Sequence, residues 1–147
     1  MAFPNQNYYA ATTHPTSPSP AKPYCPYSNF RVGATILTNE GKYVDGANVE
    51  NAAYPVGTCA ERVAFGKAIT EGHKGFKTIA VATDISPPAS PCGMCRQFIR
   101  EFCELDMPIF MFDKNGDFMV ARLGELLPLS FGPEALPPRE KLAEIGK

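Results

Sequence analysis

Apolar and polar positions alternate from Arg31 to Thr38, with Val32, Ala34 and Ile36 on one side and Gly33, Thr35 and Leu37 on the other. A period of two predicts a strand. Asn39-Glu40-Gly41 reads as a turn, and Lys42 to Val49 returns as a second strand. The period then lengthens. From Thr58 to Gly72, Ala60, Val63, Ala64 and Ala68 share one helical face, and Gly72 is a stop signal. Lys77 to Thr83 has the continuous apolar character of a buried strand. Pro87, Pro88 and Pro91 mark a loop. Gly93 to Glu104 follows as a second helix, with Phe98, Ile99 and Phe102 facing inward. Ile109–Phe112 and Phe118–Leu123 flank Lys114-Asn115-Gly116-Asp117. Asn-Gly between two apolar runs is a hairpin signal, so the last two strands are expected to be antiparallel.

The two ends lack such periods. Residues 1–23 are rich in Pro, Ser, Thr, Asn and Ala, with Pro15, Pro18, Pro20 and Pro23 closely spaced. That composition predicts a disordered or extended segment. Residues 24–136 then form the folded domain, and the charged, proline-containing residues 137–147 form a tail. A length of 147 residues suits a single domain with one sizeable core.

Charge narrows the choice of partner. The net charge is -1 and the pI about 6.1, which leaves no electrostatic footprint for nucleic acid. No signal-peptide pattern and no membrane-length apolar run is present, which predicts a cytoplasmic protein with no membrane partner. In a reducing compartment cysteines are more often metal ligands than disulfides. There are five.

Three of these cysteines fall in two short segments, Cys59-Ala60-Glu61 and Pro91-Cys92-Gly93-Met94-Cys95. Each segment opens a predicted helix, where unpaired N–H groups favour thiolate. Three thiolates on zinc leave a fourth position for water, and a nearby carboxylate, Glu61, can move that water's proton. The spacing matches the signature of zinc nucleobase deaminases, with Cys in place of the usual first His. Other readings compete. Cys-x-x-Cys alone also describes a redox pair. Thr58-x-x-Glu61 also describes a capping box, in which Glu61 would merely cap its helix. A closed structural zinc site would need a fourth protein ligand, for which Cys25 is the candidate. His14 and His73 read as solvated side chains, and Cys103 as a buried free thiol.

Beyond these motifs, the chain resembles the small, homotetrameric, zinc-dependent cytidine deaminases that act on free nucleosides. The likeness runs through Tyr24–Gly33, Gly46–Tyr54, Thr58–Arg62, Ser90–Phe98, Gly124–Pro128 and Phe131–Pro133. It implies a three-layer α/β/α sandwich around a mixed five-stranded sheet. It also implies Zn2+ on Cys59, Cys92 and Cys95, with Glu61 as the proton shuttle. In three-cysteine members an arginine at the position of Arg62 bonds the ligand sulfurs. Asn48 and Glu50 correspond to ribose-binding positions, chiefly for the 3′-hydroxyl, and Phe30 to an aromatic beside the base. The backbone N–H near Ala60 would hold the base carbonyl. Ala52 and Tyr54 match positions lining the site across a subunit boundary, and Phe131 one whose ring enters a neighbour's pocket. The implied reaction is hydrolysis of cytidine and 2′-deoxycytidine to the uridines and ammonia. A non-catalytic zinc or redox module and a deaminase of a cytosine-nucleoside antibiotic of the blasticidin type are the alternatives; the Asn48–Ala52 block favours ribose over the latter. One departure stands out: relatives usually carry an amphipathic first helix before Tyr-Ser-x-Phe, and residues 1–23 show no such pattern.

Overall fold

The structure is a computed structural model that describes residues 21–138. The proline-rich segment, except for residues 21–23, and the tail, except for 137 and 138, lie outside the described residues.

Five strands form one sheet in the order β2-β1-β3-β4-β5. They are β1 (Val32–Thr38), β2 (Tyr43–Ala47), β3 (Phe76–Thr83), β4 (Pro108–Phe112) and β5 (Phe118–Arg122). β1 pairs antiparallel with both β2 and β3; β3 and β4 are parallel; β4 and β5 are antiparallel. The antiparallel final pair is the one expected from the Asn-Gly hairpin signal, and the mixed five-stranded sheet is the one the resemblance implies. Parallel pairing of β3 with β4 requires a crossover, and the helix α2 (Gly93–Arg100) supplies it. The final hairpin turns on Asp113, whose carboxylate accepts the N–H groups of Asn115 and Asp117. Gly116 adopts φ +87° there, a conformation suited to glycine.

The helix α1 (Ala60–Thr70) lies against β1 and β2. Ala60, Ala64, Phe65 and Ala68 from α1 and Ile99 from α2 join Ala34, Ile36, Val44, Ile79, Val81, Ile109 and Met111 in the main core. The alternation read in β1 thus holds: its Ala34 and Ile36 face the helices. The approach is close. A Cβ on Gly46 would sit 2.4 Å from the Ala64 nitrogen and 2.5 Å from the Ala60 oxygen, so β2 needs glycine where α1 crosses it. This contact seats the start of α1 on the sheet. A second apolar cluster, Ala80, Ala82, Phe110 and Phe112, occupies the opposite face of β3 and β4.

Several boundaries differ from the sequence expectation. The first helix begins at Ala60 and not at Thr58, because Thr58 pairs with Val49 in an isolated β-bridge. The second strand ends at Ala47; Val49 bridges Tyr24 and Thr58 instead. The second helix stops at Arg100 and not at Glu104, and Phe102 still packs edge-on against Phe98. A four-residue helix, α3 (Leu123–Leu126), follows β5.

Candidate metal centre and nucleoside cleft

Cys59 is the N-cap residue of α1, and Cys92 is the N-cap residue of α2. Cys95 lies one turn into α2 and is fully buried. Two helix starts therefore converge on one point. The three Sγ atoms all lie within 4.8 Å of one another, with Cys59 and Cys92 3.9 Å apart. Sulfurs bound tetrahedrally at about 2.3 Å from zinc would stand roughly 3.8 Å apart. Soft thiolate donors at this spacing fit zinc. Among the described residues no fourth His, Cys, Asp or Glu completes the cluster, and Cys25 is not part of it.

The protons of the cluster are shared unequally. The Cys59 thiol is pulled down to about 5, first by a hydrogen bond from Cys95, with Arg62 and Cys92 adding to the effect. Cys95 moves the opposite way, because it supplies that hydrogen bond and is buried. The cluster thus favours thiolate at Cys59. Arg62 faces it: Nη2 donates to the Gly57 carbonyl at 3.2 Å and lies 4.0 Å from Cys59 Sγ. Arg62 Nε is buried with no hydrogen-bond partner among the described residues.

Glu61, the next residue after Ala60 in the first turn of α1, is only 3% exposed. Burial pushes its carboxyl above the usual carboxylate range, and the neighbouring Cys59 thiolate adds to the rise. A capping glutamate would be solvated, with Thr58 bonded back to the helix. No side-chain cap is formed at this helix start. The capping-box alternative therefore fails on geometry.

Phe30, Asn48 and Glu50 are brought together by hydrogen bonds. Asn48 Nδ2 donates to the Phe30 carbonyl at 2.8 Å, and Asn48 Oδ1 accepts the Val32 N–H at 3.0 Å. Glu50 accepts the N–H groups of Tyr27 at 2.9 Å and Ser28 at 3.2 Å, and the Ser28 hydroxyl as well. Ser28 Oγ in turn accepts the Phe30 N–H at 3.0 Å. Ser28 lies inside the Tyr24–Gly33 block, but a serine in a turn carries no signal that it holds a site residue. A cleft of about 260 Å³ opens beside this unit, lined by Tyr27, Ser28, Glu50, Asn51, Tyr54 and Gly57.

Of the remaining candidates, Tyr54 lines this cleft and the others lie elsewhere. Ala60 is buried at the start of α1, while Ala52 is exposed. Tyr54 is 75% exposed, its ring 6.0 Å from that of Tyr27. Phe131 does not line the cleft. The residue is 60% exposed, and its carbonyl accepts a hydrogen bond from Gln97 Nε2 of α2 at 2.9 Å. Arg96 was not singled out from sequence, yet it ties the loop before Cys92 to α3, donating to the Pro91 and Leu126 carbonyls, each at 2.7 Å.

A family model described as the cytidine and deoxycytidylate deaminase zinc-binding region matches residues 14–111. A cytidine deaminase of Sporosarcina psychrophila is 46% identical over 113 residues, which cover 77% of this chain and 83% of that protein. The crystal structure of a cytidine deaminase from Burkholderia pseudomallei superposes with a TM-score of 0.73 at 43% identity, covering 75% of this chain and 88% of that one. A blasticidin-S deaminase of Bacillus cereus is more distant, 34% identical over 112 residues, 71% of this chain and 79% of that protein.

Proposed function

The chain belongs to the cytidine and deoxycytidylate deaminase zinc-binding family, and on that premise we propose that it hydrolyses cytidine and 2′-deoxycytidine to uridine and 2′-deoxyuridine with release of ammonia. The observation that carries the reading is the convergence of three thiols within 4.8 Å beside a carboxyl that is 3% exposed.

Cys59, Cys92 and Cys95 would hold the family's zinc. When bound, the ion supplies the Lewis acidity that makes water a nucleophile near neutral pH. Everything else falls to the chain. Glu61 takes a proton from the attacking water and passes it to N3 of the cytosine ring. The water oxygen bonds to C4. Glu61 then delivers the second proton to the amine, the C4–N bond breaks, and ammonia leaves. A carboxyl raised by burial suits a group that alternately takes and gives protons. Arg62 offsets the excess negative charge of three thiolates on a dication. Ala60 sits at the start of α1, where the first helical N–H groups have no intrahelical acceptor; one of them meets the base carbonyl. Phe30 flanks the base. Asn48 and Glu50 meet the ribose 3′-hydroxyl: with its Oδ1 committed to Val32, Asn48 offers an N–H, and ionised Glu50 offers only acceptors.

Zinc-loaded protein mixed with cytidine should lose absorbance at the cytidine band and release ammonia in equal amount. No turnover with full zinc occupancy would overturn this reading and leave a non-catalytic zinc module.

The protein is further proposed to act as a cytoplasmic homotetramer in pyrimidine salvage, with Ala52, Tyr54 and Phe131 lining pockets shared between chains. The exposure of Tyr54 and Phe131 supports this, since aromatic side chains are enriched at protein interfaces. Symmetric assembly makes sharing reciprocal, which allows a mixing test. Glu61→Ala chains lack the proton shuttle but still donate Phe131; Phe131→Ala chains do the reverse. Mixed tetramers should exceed the summed activity of their parents. If native mass spectrometry finds mixed tetramers and Phe131→Ala is impaired, yet no activity returns, Phe131 acts within its own chain.

A further inference from the structure

Ser28 has no part in the chemistry above, yet it stands at the junction of both halves of nucleoside recognition. Its hydroxyl donates to Glu50 Oε1 and accepts the N–H of Phe30 at 3.0 Å. Its own N–H, with that of Tyr27, reaches the other carboxylate oxygen, Glu50 Oε2. The turn that aims these groups runs through Asn29, which adopts φ +55° and whose N–H returns to the Cys25 carbonyl at 3.0 Å. Asparagine tolerates that left-handed conformation better than most residues. On the far side of Phe30, Asn48 holds the carbonyl. Both backbone polar groups of Phe30 are therefore gripped, one through Ser28 from Glu50 and one by Asn48.

We propose that Ser28 is a positioning residue that fixes the Glu50 carboxylate toward the sugar hydroxyl and locks it to the backbone of Phe30, so that sugar and base are recognised by one rigid unit. The inference rests on the ribose role given above to Glu50. The Ser28 hydroxyl is also the main influence holding the Glu50 carboxyl below its ordinary range, which keeps it an acceptor. An acceptor held this way rewards a hydroxyl on the sugar and gains nothing from a hydrogen in its place. Without Ser28, Glu50 keeps only two backbone N–H donors, and the Phe30 N–H loses its partner. Ser28 is exposed, so its removal opens no cavity in the core.

The test compares cytidine with 3′-deoxycytidine on zinc-loaded enzyme. Glu50→Ala comes first and should erase most of the preference for cytidine. If that preference is unchanged, the ribose role of Glu50 fails, and this inference fails with it. Given that result, Ser28→Ala should raise KM for cytidine about tenfold, the effect of one hydrogen bond to a charged group, with kcat within about twofold. It should change KM for 3′-deoxycytidine far less. Ser28→Thr, which keeps the hydroxyl, should restore most of the cytidine KM. In a Glu50→Ala background, Ser28→Ala should add little. If Glu50→Ala erases the preference while Ser28→Ala leaves it intact, Ser28 holds nothing the substrate reads and the proposal is overturned. A loss shared equally by both substrates, or one accompanied by a large fall in melting temperature, also overturns it by assigning Ser28 to the fold alone.

Discussion

The thiol cluster and the cleft around Glu50 are both built from short segments, but they are held by different forces. Cys59 and Cys92 are the residues at which two helices begin, and α1 is pressed against β2 at Gly46 with no room for a side chain. Their geometry is inherited from the core. Phe30, Asn48 and Glu50 lie on loops and strand ends. They are held by side-chain hydrogen bonds to neighbouring backbone, and Glu50 lines a cleft that opens to solvent. The first region takes its order from packing and the second from polar contacts on the surface. Damage to the first should therefore reach stability and turnover together, whereas damage to the second should show in KM alone.

The largest effect should come from removing a thiol. Cys95→Ser should abolish turnover, lower zinc content and lower the melting temperature together, because assembly of a metal site is part of the folding free energy. Cys92 is exposed and Cys95 is fully buried, so Cys92→Ser should cost less stability for a similar loss of zinc. Metal analysis and thermal melts on the two variants check this. Full zinc occupancy in either one would point to another ligand set. Next in size is Glu61→Gln. It should lower kcat by at least about a hundredfold, the low end for general acid–base catalysis, while zinc content stays at the wild-type level. Loss of metal would make Glu61 a ligand and break the assignment of roles within the cluster.

The same contrast decides what could be read from the sequence. Cysteine is rare, and three of them at two helix starts with Pro-Cys-x-x-Cys spacing carry few other meanings. The apolar periods of β1 and α1 were equally plain, because a buried face leaves a trace at every second residue or every third and fourth, and β3, buried on both faces, showed as a continuous apolar run. The ends of elements were less legible. Thr58 has the composition of a helix cap, but its backbone is claimed by Val49 across an isolated bridge, a partner distant in sequence. Ser28 and Arg96 escaped for a related reason. Their roles lie in the atoms they bond to, at Glu50 and Phe30 for one and at Pro91 and Leu126 for the other, and residue type does not encode those partners. The resemblance implied ribose roles for Asn48 and Glu50; spacing showed only that the two could face the same way.

Gly46→Ala sharpens the comparison from the packing side, since it meets α1 only through the main chain of Ala60 and Ala64 and reaches neither a thiol nor Glu61. The added methyl meets main-chain atoms of α1, which cannot rotate away, so the helix must shift. Overpacking of this kind costs about 1–3 kcal/mol, readable by urea denaturation. Because α1 carries Cys59 and Glu61, kcat should fall as well, with KM for cytidine little changed. A KM rise with normal kcat would mean that the cleft, and not the cluster, depends on this contact.

The smallest effect is expected at Arg62, where the two regions differ least, because its side chain is only half-buried and bonds to a loop carbonyl. Three thiolates on a divalent cation leave one negative charge in excess, and that charge raises the pKa of the attacking water. The Arg62 guanidinium, 4.0 Å from Cys59 Sγ, opposes it. Arg62→Gln removes the positive charge and leaves a shorter, neutral side chain that still carries an N–H donor. The fold and zinc content should survive. The direction of the kinetic change follows from the sign: with the negative charge uncompensated, the water gives up its proton less readily, so the pH–rate profile should move to higher pH and kcat near neutrality should fall about tenfold or less, one pKa unit corresponding to about 1.4 kcal/mol. Arg62→Lys keeps the charge and should recover part of the loss. A profile that coincides with the wild type at every pH would show that Arg62 serves only the Gly57 carbonyl and leaves the charge of the cluster untouched.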